Sequence, residues 1–183
     1  MDDLPAWDDS ERPPVVTYAD PSPYARMSRD HLRAIHDGYR HALATVVQAA
    51  DDAVEGRASV GQLREAIHEA GLSRHYQRLS SYCGQLCSAV TQHHTIEDVV
   101  FRPQLRAADV ALHATLDRIA LEHGVVHELL ERIDRRARVF ATDPGELDLL
   151  VAELHHLRTL LLSHFSYEEE AVGTALGQHG IGV

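Results

Sequence analysis

At 183 residues, 44% hydrophobic and 25% charged, the chain has the size and composition of one soluble globular domain with a sizeable core. Its formal net charge of -11 argues against nucleic acid or an anionic membrane surface as partner, because the electrostatic and counterion terms would carry the wrong sign. No run approaches the ~20 apolar residues that span a bilayer, and the acidic start lacks the basic and apolar regions of a secretory signal, so a cytoplasmic protein is expected.

Residues 1–28 carry Pro5, Pro13, Pro14, Pro21 and Pro23 among acidic side chains, which disfavours regular helix and predicts an arm that lies extended on the body or is disordered. Residues 29–176 form the predicted domain, and 177–183 a glycine-containing tail. The first helix is predicted from about Arg29 to Glu55, with an inward row of Leu32, His36, Tyr39, Leu43, Val46 and Ala50. A short amphipathic piece over about 60–70 then leads through Gly71 into a second long helix, about 73–106. Its row runs Leu79, Cys83, Leu86, Val90, His93, Glu97 and Val100, and Pro103 should kink or end it. Cys83 and Cys87 lie four apart in this helical run, a poor geometry for a disulfide, and are expected to pack as small apolar residues.

A third helix is predicted from Asp109, its N-cap, to about Phe140, with Leu112, Leu116, Ile119, His123, Val126, Leu130 and Ile133 inward and His127 flanking. Asp143, Pro144 and Glu146 then read as the cap, first position and capping-box partner of a fourth helix. That helix presents Leu147, Leu150, Leu154, Leu157, Leu161, His164, Glu168 and Ala171 before Gly173, Gly177 and Gly180 dissolve it. No strand pattern occurs. The expected fold is all-α: an up-down-up-down four-helix bundle with a short extra helix between helices 1 and 2 and an extended N-terminal arm.

Chemistry concentrates in seven of the inward or flanking positions: His36, His93 with Glu97, His123 with His127, and His164 with Glu168. Each pair is spaced i,i+4 and projects from one helix face. Counted along four antiparallel helices at ~1.5 Å per residue, all seven fall in one layer roughly 10 Å deep. A single buried imidazole is ordinarily a hydrogen-bonded core residue. Several imidazoles and carboxylates in one apolar layer would leave polar groups unpaired at several kcal/mol each unless a cation joins them. Imidazole and carboxylate without thiolate suit iron or manganese better than structural zinc. Seven ligands exceed the needs of one ion and suit two, with carboxylates bridging and a coordination position left open.

His94, adjacent to His93, falls on the flank of this row, and His31 and His41 lie off the row of the first helix. Tyr39 either packs or hydrogen-bonds near the site. His68, His75, His113, His155, His156 and His179 read as surface. Glu65-x-x-His68 and Glu153-x-x-His156 have the spacing of ferritin-like sites, but the first lies on the connector and the second off the apolar row.

The pattern His…His-x-x-x-Glu…His-x-x-x-His…His-x-x-x-Glu, with the strings His-His-Thr-Ile-Glu-Asp-Val-Val-Phe-Arg-Pro and His-Phe-Ser-Tyr-Glu-Glu-Glu, resembles the hemerythrin-like (HHE cation-binding) family over about residues 29–176. The resemblance implies a four-helix bundle around two iron ions, an oxo- or hydroxo-bridged di-iron centre. His123, His127 and His164 would bind one iron, His36 and His93 the other, and Glu97 and Glu168 would bridge. The second iron would hold the open site. The family places its last carboxylate four or five residues after the histidine, so Glu168 and Glu169 both qualify. The row 161, 164, 168, 171 selects Glu168 and leaves Glu169 and Glu170 solvated or in an outer role. The implied partner is a small diatomic or peroxide ligand. Binding or sensing of dioxygen, peroxide or nitric oxide is the favoured function. An enzyme that dismutates peroxide, turns over nitric oxide or oxidises ferrous iron uses the same ligands and stays open, as does a metal-stabilised interaction module.

Overall fold

The computed structural model describes residues 4–56, 84–140 and 144–182. The extra helix expected over 60–70, together with Cys83, His68 and His75, lies outside the described residues. The helices are α1 Pro23–Val54, α2 Gly84–Ile96, α3 Arg102–Ala108, α4 His113–Phe140, α5 Leu147–Ala171 and α6 Gly173–Gln178. A π turn over Glu97–Phe101 joins α2 to α3 in one continuous rod. Among the described residues there is no strand, and no helix is long and apolar enough to cross a membrane.

Two starts and stops differ from the sequence reading, each for a local reason. Helix α1 begins at Pro23, earlier than expected, because Pro23 occupies its first turn, where a missing N–H costs nothing, and Ser22 Oγ caps it by accepting from Ala25 N–H at 3.0 Å. The second rod passes Pro103 and continues to Ala108. The π turn makes this possible. Arg102 N–H bonds Glu97 O, five residues back, so Pro103 falls at the opening of a renewed α-helix instead of clashing inside an old one. The same extra residue rotates the apolar row. Val100, expected inward, is 43% exposed, and Leu105 is 1% exposed in its place.

Two hydrophobic clusters give the helix directions. One joins Leu43 and Val46 of α1, Leu86 and Val90 of α2, Val126 to Ala137 of α4 and Leu150 to Phe165 of α5. The other joins Leu32, Leu105, Leu112, Leu116, Tyr167 and Ala171. Moving from the second cluster to the first, numbers rise along α1, fall along α3 and α2, rise along α4 and fall along α5. That is the up-down-up-down bundle. The residues between the clusters, near 36, 93–98, 122–123 and 164–169, form one buried polar layer.

The fourth helix, α5, ends at Ala171, just before the first of the glycines as expected, but Gly173 and Gly177 do not dissolve the chain and lie in a further helix, α6. They let α6 lie on the start of α1. A Cβ on Gly177 would stand 2.6 Å from Ala25 Cα and 2.7 Å from Tyr24 O, backbone atoms that cannot turn aside. Gly177→Ala is therefore expected to destabilise by about 1–3 kcal/mol. It should lower the melting temperature by roughly 2–4 °C per kcal/mol, read by circular dichroism.

The described part of the arm lies on the body of the bundle. It carries a 3-10 turn at Asp9–Glu11 and packs Leu4 and Trp7 on the first cluster and Val15, Val16 and Tyr18 on the second. Its polar ties include His156 to Pro5 O at 2.7 Å and Tyr18 OH donating to Asp109 at 3.1 Å.

Candidate metal centre

Each long helix sends side chains into the polar layer: His36 from α1, His93 and His94 from the end of α2, Glu97 from the π turn, His123 from α4, His164 and Glu168 from α5. Their donor atoms form two groups, His36/His93/Glu97/Glu168 and His94/His123/His164, each with all its atoms within 4.8 Å of one another. His36 Nε2 is 2.9 Å from His93 Nε2. The two carboxylates span both groups. Glu97 places Oε1 3.2 Å from His93 Nε2 and Oε2 3.7 Å from His123 Nε2. Glu168 Oε2 is 3.5 Å from His36 Nε2 and 3.5 Å from His164 Nε2.

Six of the seven residues singled out in the sequence thus meet. The seventh, His127, stands outside both groups. Its ring lies 5.7 Å from that of His94, and its Nε2 is buried without a partner. His94, placed on the flank by its spacing, is fully buried instead and stacks on His123 at 4.0 Å with 7° between planes.

The donor set fits a cation. His94 Nδ1 and Nε2, His123 Nε2, His164 Nε2, Glu97 Oε2 and Glu168 Oε2 are buried with no hydrogen-bond partner, an arrangement that is costly unless a positive ion faces it. Burial sets the protonation of the metal-free layer. It pushes His93 down to about 2, helped by the neighbouring His36, His123 and His164, and His164 down to about 4 against the pull of Glu122. His36 and His94 move the same way for the same reason. Burial also raises Glu168 to about 8, with Glu122, Asp98 and Glu169 adding repulsion, and raises Glu97, with Glu168 the next cause. Neutral imidazoles are ready ligands, whereas the two carboxyls must lose protons as metal enters.

Outside the candidate ligands stands a second set of carboxylates, of which the helical row offered only Glu169 as an outer partner. Glu122 accepts from His164 Nδ1 at 3.0 Å, Glu169 accepts from His36 Nδ1 at 3.0 Å, and Asp98 Oδ2 lies 3.2 Å from His123 Nδ1. Glu122 and Glu169 thereby turn the opposite nitrogen, Nε2, toward the centre, the arrangement by which outer carboxylates fix the tautomer of metal-binding histidines, whereas Asp98 is close to His123 Nδ1 without a hydrogen bond. Burial would raise Glu122, but hydrogen bonds from His164, Arg12 and Arg118 outweigh it and hold it at about 2. Glu169 is held at about 2 against burial by His36, Arg40 and Arg33. Glu169 is thus a buried outer partner and not a solvated residue, whereas Glu170 is exposed. Adjacency to the ligands was the available signal for Glu122, Glu169 and Asp98.

A small cavity with room for about one water-sized molecule lies against Glu97, Glu168 and His123 under Phe101, Leu105 and Ile119. It borders neither His36 nor His93, where the resemblance implied the open position. There the walls are aromatic: Phe165 stacks on His36 at 4.2 Å, and the Tyr39 ring lies 5.1 Å from that of His93. The Tyr39 hydroxyl is directed to Ala89 O at 3.4 Å, so the phenol packs beside the site and donates to the backbone.

The remaining motifs have other partners. Glu153 is buried between Arg132 and Arg136, and His156 serves the arm, which removes the ferritin-like alternative at that pair. Cys87 is disulfide-bonded, against the expectation of a packed thiol; the chain's other cysteine, Cys83, lies outside the described residues. Among known families, the hemerythrin HHE cation binding domain matches residues 27–176. No curated protein and no solved structure matches the chain.

Proposed function

Since the chain belongs to the hemerythrin HHE cation-binding family, we propose that its buried layer holds two irons and binds or senses dioxygen, peroxide or nitric oxide. The observation that carries the reading is the span of Glu97 and Glu168, each within 3.7 Å of an imidazole nitrogen from both groups. Carboxylates so placed can bridge two ions. His36 and His93 would serve one and His123 and His164 the other. The family pattern assigns the third imidazole of that second set to His127; the short approach of His94 favours His94.

Bound iron would supply the redox chemistry toward the small ligand. The protein's own groups do the rest. Glu169 and Glu122 hold His36 and His164 by Nδ1, which leaves each Nε2 free to ligate. Glu97 and Glu168 neutralise cationic charge in a layer closed off by Leu32 and Leu116 on one side and Val90 and Phe165 on the other. Phe101, Leu105 and Ile119 limit the adjoining cavity to a ligand of a few atoms. With the Tyr39 phenol turned to the backbone, no tyrosine among the described residues lines that cavity, which favours binding and sensing. One feature favours the enzyme alternative. Asp98 lines the cavity, paired to Arg102 at 3.6 Å, and could pass a proton to a reacting ligand.

The test is metal analysis with an optical spectrum of protein grown with ample iron. About two irons per chain are expected by analogy with the ligand count, with charge-transfer bands of a bridged pair; one zinc or no metal would overturn the reading. A reversible spectral change with dioxygen identifies a binder, and rapid consumption of peroxide or nitric oxide an enzyme.

A further inference from the structure

The arm reaches the centre through one arginine. Arg118 docks the 3-10 turn, donating to Asp8 O at 2.6 Å and pairing with Glu11 at 3.3 Å. Directly after that turn, Arg12 lays its guanidinium along Glu122, with Nε to Oε1 at 2.8 Å and Nη2 to Oε2 at 2.9 Å, while Nη1 donates to Ser163 Oγ at 2.8 Å. Glu122 is fully buried, and its Oε2 accepts from His164 Nδ1 at 3.0 Å. Arg118 Nε supplies the remaining contact, 2.9 Å to Oε1. Arg12 also sits over Tyr167 at 4.7 Å, and Trp7 of the arm meets the His164 ring edge-on at 6.5 Å. A path of direct contacts therefore runs from the arm to Arg12, Glu122 and His164, a member of one donor group.

We propose that Arg12 is a positioning residue for the metal centre, and that docking of the arm and retention of iron are coupled through the Arg12–Glu122 pair. Both oxygens of Glu122 are engaged by the planar fork of Arg12, which fixes the plane of the carboxylate, and that plane aims His164. Lysine has the charge without the fork. Without Arg12, Oε2 keeps His164 as its one protein donor, and the buried carboxylate is free to turn about its contact with Arg118. The coupling to iron rests on the di-iron reading; the orientation of His164 does not.

The experiment uses the full chain with Arg12→Ala, Arg12→Lys, Glu122→Gln and the double variant Arg12→Ala/Glu122→Gln. In iron-loaded protein, release of iron to a chelator should quicken on the order of 10-fold for Arg12→Ala, the lower range seen when outer partners of metal ligands are lost. Arg12→Lys should retain most of that defect, and the double variant should release iron no faster than Glu122→Gln alone. An unchanged rate in Arg12→Ala, full rescue by lysine, or additive rates in the double variant would overturn the proposal. Metal-free protein gives the second readout, by nitrogen-15 NMR of the histidine rings. His164 should be the Nδ1–H tautomer in the native chain and a mixture of tautomers in Arg12→Ala; the same tautomer in both would overturn the proposal. If the native chain loads no iron, the di-iron reading fails while the ring spectrum still decides the role of Arg12.

Discussion

Iron-free protein carrying Glu168→Gln will melt higher at pH 8 than the iron-free native chain, yet it will fail to hold the iron pair. Glu168 is 2% exposed and raised from 4.5 to about 8 by burial and by the charges of Glu122, Asp98 and Glu169. The other groups facing it are His36 and His164, kept neutral by burial, and Glu97, itself raised. A carboxyl raised on folding contributes stability that is complete below 4.5 and lost as pH climbs through about 8. Glutamine cannot ionise, so the variant escapes that loss. The histidines work from the other side. His164, lowered from 6.5 to about 4, contributes stability present above 6.5 and lost as pH falls through about 4. The iron-free native chain should therefore be most stable between these limits and decline toward pH 8. Each pKa unit corresponds to about 1.4 kcal/mol, so even a discounted shift is worth a few kcal/mol. At roughly 2–4 °C per kcal/mol, the gap between variant and native chain should reach about 5–10 °C at pH 8 and narrow toward pH 5.5. Iron should reverse the order, because the native carboxylate gains an ion that a neutral amide cannot bridge. Parallel melting profiles from pH 5.5 to 8.5 would refute the account.

His94→Ala is expected to leave about one iron per chain, as one of the two donor groups loses a ligand, whereas His127→Ala should keep both. His94 is fully buried, and neither ring nitrogen has a hydrogen-bond partner. An imidazole held so is expensive without an ion, and its donor atom stands within 4.8 Å of those of His123 and His164. His127 is half-buried and outside that group. Iron counted by elemental analysis after a chelator wash decides the matter, with circular dichroism to show that each variant folds and His93→Ala as the iron-losing control. Loss of iron in His127→Ala with retention in His94→Ala would restore the family assignment and reduce the His94 ring to packing.

Most of the bundle was legible because helix periodicity is local. Among the described residues, the inward rows emerge as buried from Leu86 to Glu97 in the second helix, throughout the third, and in the first and fourth with Tyr39 and Leu147 half-buried. Legibility ended where an effect was not periodic. Val100 was placed inward by counting in steps of three and four, a rule that the π turn breaks at the residue after which it was needed. Pro23 was read as a breaker, although a proline in the first helical turn is a starter. The His93/His94 choice was posed as one ligand against one flank, but both rings enter the layer, each with a different group. Glu122 could not be tied to Arg12 in advance, because their contact joins positions 110 residues apart and only the folded arm creates it.

The π turn also sets the shape of the cavity beside the centre. Phe101 and Leu105 wall the cavity beside Glu97, Glu168 and His123, and they face it because the rod contains one residue more than α-helical turns would hold. Without that residue the stretch from Phe101 to Ala108 would rotate by about a quarter turn, carrying both walls away while leaving His93, Glu97, Asp98 and the candidate ligands on the other helices in place. Access to the centre is thus separable from metal binding in the gene as well as in the fold. A single-codon deletion or insertion between Asp98 and Phe101 would reshape this cavity without replacing a candidate metal residue, a change that point substitution of those residues does not offer.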